Sequence, residues 1–138
     1  MPQALIGGVL IVHGLITTAI GAGTAGNPGA PAMAAPGWLA WWPGPFGRSW
    51  LIDGMGLGSG AAVVGGIAWL AAGALLVAAG LGWFGIAGLH GWWQPLSVTG
   101  AAVGLLALAL YFHPLYLIGI AIDVAILVAM SRGLETAR

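Results

Sequence analysis

The sequence has no cysteine and no lysine, and it has only three arginines and three carboxylic acids in 138 residues. The absence of cysteine excludes disulfides, thiolate catalysis, thioether attachment of haem and cysteine metal sites. The net charge is zero with neutral histidines, and no basic cluster exists. Nucleic acids and polybasic binding of acidic lipids therefore have no electrostatic basis.

Apolar residues take the place of the missing charges. Hydrophobic residues make up 60% of the chain and charged residues 4%, whereas about a quarter of the residues in a soluble domain are charged. The mean hydropathy of +1.03 agrees with this contrast. The composition therefore predicts an integral membrane protein.

Four apolar runs are long enough to cross the hydrocarbon layer, which takes about 20 helical residues. They predict one all-α transmembrane domain over residues 1–138, a four-helix bundle with spans at about 5–22, 61–86, 96–112 and 114–131. A cleaved signal peptide is the competing interpretation of the first run, but no basic residue precedes it. Pro114 predicts a tight turn between the last two spans, because proline disfavours the helical conformation of the residue before it.

The first loop, residues 23–60, is rich in proline, glycine and tryptophan. Its prolines exclude a continuous helix. Tryptophan side chains suit the membrane interface, where the ring is buried and the indole N–H reaches water. The tryptophans expected at interfaces, in this loop and in the second turn, are Trp38, Trp41, Trp42, Trp50, Trp92 and Trp93.

Small residues recur in the spans at helix-packing spacing. Those expected to pack helices are Gly66, Gly73 and Gly80 in the second span, Gly100 and Gly104 in the third, and Gly119 in the fourth. Lipid gives helices no hydrophobic reason to associate, so small residues that let backbones approach closely replace that driving force. A second interpretation is that the glycines make room for a bound flat molecule.

Asp123 lies in the middle of the fourth apolar run. A charge at the bilayer centre costs roughly 2.5 to 3.5 kcal/mol on insertion scales, so such residues usually face the bundle interior and find a partner. His13, near the middle of the first span, is the first candidate, and Tyr116 is the second. Thr17 shares the face of His13 at four-residue spacing. These four residues form the predicted buried polar site.

Catalytic and metal sites have little support in the sequence. No nucleophile with an adjacent base appears, and neither a P-loop nor a dinucleotide fingerprint is present. His13 and His113 lie at different depths, so with one carboxylate they make a poor metal-ligand set. We therefore predict no catalytic residue and no metal, and a quinone or lipid is the only bound molecule we consider.

The few arginines bear on orientation. Four spans place both termini on one side of the membrane. Arg132 and Arg138 lie on that side, whereas Arg48 lies in the first loop. Positive residues favour the cytoplasmic side, so the sequence predicts cytoplasmic termini and an external Trp-rich loop, in a bacterial inner membrane.

The stretch Leu10-Ile11-Val12-His13-Gly14-Leu15, with four short helices and about 140 residues, resembles the DoxX-like group of small bacterial membrane proteins. That group commonly has a basic residue soon after the His-Gly pair and an acid in the second helix. Thr17, Thr18 and Ala72 occupy those regions here. The resemblance implies a part in a quinone-coupled or thiol-redox complex, and only His13 and Gly14 carry it.

Three functions fit these residues. The first is a non-catalytic accessory or scaffold subunit that contacts a larger membrane complex, other membrane subunits or copies of itself, and lipid or quinone. The second is a DoxX-like component of a quinone-linked redox assembly. The third is a small oligomeric transporter in which Asp123 binds a proton or cation.

We expect the Trp-rich loop to be ordered and packed across the outer end of the bundle, because its large aromatic side chains would otherwise form an adhesive apolar patch. Protease treatment of intact spheroplasts measures this. The expected result is slow cleavage between Gly23 and Ser49, and rapid cleavage throughout that stretch would contradict the prediction.

Overall fold

A computed structural model describes residues 2–28, 37–41 and 55–132. This part of the chain forms an all-α integral membrane protein. Its four long helices are α1 (Pro2–Gly26), α2 (Ser59–Trp83), α3 (Trp93–Leu110) and α4 (Leu117–Ser131). Each helix belongs to a segment that is long and apolar enough to cross a membrane, so the prediction of a four-helix membrane protein is confirmed.

The bounds of α1 and α2 differ from those expected. α1 has 25 residues and ends at Gly26, four residues after the predicted end at residue 22. Proline disfavours the helical conformation of the residue before it, so Pro28 accounts for a helix end just before residue 27. α2 begins at Ser59, two residues before the predicted span, and its N-cap residue is Gly58 with no side-chain hydrogen bond. Gly58 has a φ of 51°, a conformation that glycine adopts readily.

Two short 3-10 helices, Ile86–Gly88 and His90–Trp92, join α2 to α3. α3 therefore begins at Trp93, three residues before the predicted span. The ring of Trp93 packs edge-on against that of Trp83, with the ring centres 4.6 Å apart. Trp93 thus closes this turn, whereas Trp92 is 63% exposed.

The turn between α3 and α4 contains the 3-10 helix Pro114–Tyr116. His113 is its N-cap, and Nδ1 of His113 accepts a hydrogen bond of 3.1 Å from the backbone N–H of Leu115. Burial lowers the pKa of His113, which keeps the ring neutral and able to accept this bond. Pro114 takes the first helical position, as the sequence predicts.

The loop between α1 and α2 is described only in part. Trp38 and Trp41 are 64% and 72% exposed. The expected packing of this loop across the bundle stays a prediction, because most of the loop lies outside the described residues. Trp42 and Trp50 lie outside the described residues, as do Arg48 and Arg138.

Glycines hold α1 and α2 in close antiparallel contact. A Cβ atom added at Gly73 would lie 2.6 Å from the carbonyl oxygen of Gly14, and one added at Gly14 would lie 2.8 Å from that of Gly73. A Cβ atom added at Gly80 would lie 3.0 Å from the carbonyl oxygen of Gly7, and one added at Gly21 would lie 2.8 Å from that of Gly66. Only glycine permits backbones this close, so the seven-residue repeat of α2 serves packing and not a bound flat molecule.

The two glycines of the GxxxG motif in α3 meet different neighbours. A Cβ atom at Gly100 would lie 2.9 Å from Leu76 of α2, and one at Gly104 would lie 2.7 Å from Oδ2 of Asp123 in α4. On α4, a Cβ atom at Gly119 would be 3.5 Å from Leu108 of α3. α3 therefore lies between α2 and α4.

The buried apolar side chains form two clusters. One contains Leu10, Leu76, Ala79, Ala101 and Ile126. The other contains Trp69, Ala107, Leu108 and Tyr111. Gly104 of α3 and Asp123 of α4 lie between these two clusters.

α4 is the peripheral helix of the bundle. Its buried residues are Asp123 and Ile126. Only 6% of its membrane-spanning window is buried, compared with 33% to 39% in the other three. The large apolar side chains that α4 leaves exposed are Leu117, Ile118, Val124 and Val128.

We predict that Gly73→Leu destabilises the bundle by about 1 to 3 kcal/mol, the usual cost of overpacking, because the new side chain meets the α1 backbone. Gly23→Leu is the matched control, since nothing lies within 4 Å of a Cβ atom there. Thermal unfolding in detergent compares the two variants. Equal stability would show that the α1–α2 contact tolerates separation.

Candidate functional site

The buried polar site consists of one imidazole and one carboxylate. Nε2 of His13 lies 2.9 Å from Oδ1 of Asp123, a hydrogen bond that joins α1 to α4. The exposed fractions of the two residues are 7% and 1%. The pairing predicted from the sequence is therefore present.

Glycines make room for this pair. Oδ2 of Asp123 occupies the space that a side chain at position 104 would need, with 2.7 Å between that oxygen and a Cβ atom on Gly104. A Cβ atom on Gly119 would lie 3.7 Å from Cε1 of His13. Both glycines were expected to pack helices, and the structure adds that they border the polar pair.

The pair avoids an isolated charge inside the membrane. If the proton between them sits on His13, the pair is an ion pair, and if it sits on Asp123, both groups are neutral. The total charge is zero in both cases, so the full cost of a lone intramembrane charge does not arise. Removing either partner alone would leave a buried polar group without its hydrogen bond.

Thr17 is buried beside this pair but does not bond to its side chains. Its hydroxyl donates to the backbone carbonyl of His13, one helical turn earlier, at 2.8 Å. Thr18, Thr24 and Ser97 bond in the same way to the carbonyl four residues before them. Such local bonds satisfy hydroxyl groups where water is absent.

Tyr116, the second candidate partner of Asp123, does not belong to the polar site, because the carboxylate bonds to His13 and the phenol ring packs elsewhere. It lies in the 3-10 turn before α4, about two helical turns from the acid. Its ring packs edge-on against Trp69 with the centres 5.6 Å apart, and against His113 at 5.5 Å. The phenol ring of Tyr116 therefore lies against α2.

Sequence reasoning missed the aromatic cluster around Trp69. This ring is 1% exposed and lies 5.2 Å from the ring of Tyr111. The hydroxyl of Tyr111 donates to the carbonyl of Ala61, and a Cβ atom on Gly65 would lie 2.5 Å from the tyrosine ring. The available signal was the lone aromatic residue in the middle of the second span.

A groove of about 340 Å³ runs along the outside of the bundle between α1 and α4. One face of α1 between Ala4 and Ile16 forms most of its wall, and Ile122 of α4 completes it. His13 also lines the groove. His13 therefore borders an apolar surface on the outside of the bundle.

The chemistry available at the site is limited. Among the residues in the described ranges, no cluster of three or more His, Cys, Asp or Glu side chains could hold a metal ion. One carboxylate and one imidazole can share a proton and join helices, and the imidazole can contact a molecule in the groove. Comparisons with family models, with curated proteins and with solved structures give no match for this chain.

We predict that Asp123→Asn is mild and that Asp123→Leu costs about 1 to 3 kcal/mol of stability. Asparagine keeps an oxygen that can accept from His13, whereas leucine leaves the buried Nε2–H without an acceptor. Denaturation in detergent measures both variants, with Val124→Leu on the exposed face of α4 as the control. A fully stable Asp123→Leu variant would contradict a structural role for the pair.

Proposed function

We propose that this protein is a small non-catalytic subunit that works beside a larger membrane complex and contacts lipid or quinone. The observation that carries the proposal is the exposure of α4, whose membrane-spanning window is only 6% buried. A helix with so little cover from its own chain offers its apolar side to lipid or to another transmembrane helix. Its one acid is used inside the bundle.

The exposed apolar surface continues from α4 to α1. Ile118 of α4 is 75% exposed, and Leu5 and Val12 of α1 are 68% and 57% exposed. The α2 side of α1 is closed by glycine packing, so the outer face of α1 is the face available to partners. These two neighbouring helices form the docking side of the proposed subunit.

A part in a quinone-linked redox assembly is the second candidate. The His-Gly pair of α1 supports it through the resemblance to the DoxX-like group, and the position of His13 at the groove supports it through geometry. In this proposal the protein holds or guides the quinone, and the partner subunits carry out electron transfer. The membrane is then the bacterial inner membrane, with both termini in the cytoplasm.

Transport through Asp123 has weaker support. A transporting carboxylate must exchange its proton or cation with water on each side of the membrane. Asp123 is 1% exposed and hydrogen-bonded to His13. Both features favour a structural role for this acid.

Isolation in mild detergent followed by mass spectrometry tests the proposed function. We expect stoichiometric foreign membrane subunits with the wild-type chain and about tenfold lower recovery with Ile118→Trp, a loss of about 1.4 kcal/mol of binding. Leu106→Trp is the matched control, because Leu106 is 61% exposed but lies on α3.

Other outcomes of this isolation contradict the proposal. Recovery of a bound quinone without foreign subunits would favour the quinone-linked candidate. Recovery of self-oligomers alone, with proton uptake into liposomes that Asp123→Asn abolishes, would favour transport.

A further inference from the structure

The groove between α1 and α4 has the size and composition of a small-molecule site. Its volume of about 340 Å³ lies within the range of roughly 300 to 1,000 Å³ that such sites occupy. Its wall is made of aliphatic side chains and Gly8, and His13 is the one ionisable residue among them. An apolar wall with one polar group suits a molecule that is mostly hydrocarbon.

His13 lies too deep in the membrane for the head group or ester linkage of a common phospholipid to reach its side chain. His13 is eleven residues from Pro2 and thirteen residues from Gly26, the two ends of α1. At about 1.5 Å per residue it is roughly 16 Å from one end and 20 Å from the other. Head groups and their ester linkages lie at the edge of a hydrocarbon layer that is about 30 Å thick. A molecule that reaches His13 must lie within the hydrocarbon.

The hydrogen-bonding role of His13 follows from the neutrality of its pair with Asp123. Nε2 faces the carboxylate, so the free ring nitrogen is Nδ1. When Asp123 carries the shared proton on Oδ1 and donates it to Nε2, the neutral imidazole carries its hydrogen on Nδ1, and when the proton is on His13, both ring nitrogens carry hydrogen. A third zero-charge arrangement, in which Nε2–H donates to an acid protonated on Oδ2, leaves the Oδ2–H without an acceptor, because Asp123 makes its one hydrogen bond in the described part of the chain through Oδ1. Nδ1 is a donor in the two arrangements that avoid this cost.

This donor has no acceptor within the described part of the chain. The only hydrogen bond that the His13 side chain makes there is the one from Nε2 to Asp123. An N–H without an acceptor costs free energy in the hydrocarbon layer, where water cannot bond to it, and an acceptor supplied by a ligand would remove that cost. The missing group is thus an oxygen acceptor on an apolar molecule.

We propose that the groove binds a hydrocarbon-soluble carbonyl compound, with the carbonyl oxygen accepting a hydrogen bond from Nδ1 of His13. The inference deepens the lipid-or-quinone contact of the proposed function and depends on that part of it. A ring ketone on an isoprenoid tail and a linear long-chain ketone share the required chemistry. No covalent or redox step is involved.

Three probes test the proposal on the purified wild-type protein in detergent. Decylbenzoquinone carries ring carbonyls, a linear ketone of matched length carries one carbonyl, and decylbenzene has a similar shape without any. We expect at least one carbonyl probe to bind about tenfold more tightly than decylbenzene. Preference between the two carbonyl probes identifies a ring or a linear source.

Infrared spectroscopy gives a second measurement that a merely apolar groove would not change. The carbonyl stretch of the bound probe should move to lower frequency than in detergent alone, because hydrogen bonding weakens the C=O bond. The expected shift is present in the wild-type protein and absent when the groove is blocked.

Gly8→Leu blocks the groove without disturbing the packing of the bundle, since nothing lies within 4 Å of a Cβ atom at Gly8. Gly23→Leu is equally unhindered on the same helix and does not line the groove. We expect Gly8→Leu to lose carbonyl binding and Gly23→Leu to keep it, with similar thermal stability. This pair separates occlusion of the groove from a general effect of leucine on α1.

Equal binding of decylbenzene and both carbonyl probes would overturn the proposal, and so would carbonyl binding that survives in a folded Gly8→Leu variant. If Gly8→Leu does not fold, the comparison of probes on the wild-type protein still decides. These assays use the chain alone, so their failure is distinct from a failure to recover foreign subunits.

Discussion

The hydrogen bond between His13 and Asp123 is the interaction on which the arrangement of α1 and α4 depends. α4 buries only one other residue, Ile126, so apolar packing gives it little reason to hold one orientation. A carboxylate inside a membrane is costly unless it has a partner, and that cost makes the orientation of α4 specific. Rotation of α4 would separate Asp123 from His13 and would leave both groups unsatisfied. One polar pair thus fixes a helix whose other contacts in the described part of the chain are mainly with α3.

Glycine determines how closely the remaining helices approach the pair. The α1–α2 contact brings the backbones of Gly14 and Gly73 together, and dispersion forces at this short range replace the hydrophobic effect that lipid does not provide. Gly104 has a different role, because the space that it leaves is filled by the carboxylate of Asp123. Glycine therefore allows both the close contact between the α1 and α2 backbones and the space on α3 that the Asp123 side chain fills. The outer side of α1 stays uncovered and forms the wall of the groove.

The proposed site and the structural pair share one imidazole. Nε2 of His13 serves the fold, and in the proposed site Nδ1 would bind the ligand, so the ligand would be recognised without breaking the bond that holds α4. The two roles of His13 are also coupled. Without Asp123 as the partner of Nε2, the neutral ring could carry its hydrogen on either nitrogen, and Nδ1 would not be fixed as a donor. A subunit that binds an apolar molecule beside its least buried helix would present that molecule to a neighbouring protein at the same surface.

The sequence by itself determined the membrane class and the four helices, and it named His13 as the first of two candidate partners for Asp123. These follow from rules that act locally: an apolar run of sufficient length must be helical in lipid, and a single acid must find one of the few available partners. Tertiary structure decided what those rules leave open. Tyr116 faces Trp69 because the turn after Pro114 sets its direction, and Gly104 borders a carboxylate because α3 lies between α2 and α4. The groove exists because α1 is packed on α2 more tightly than on α4, and spacing within one helix carries no information about the distance between two.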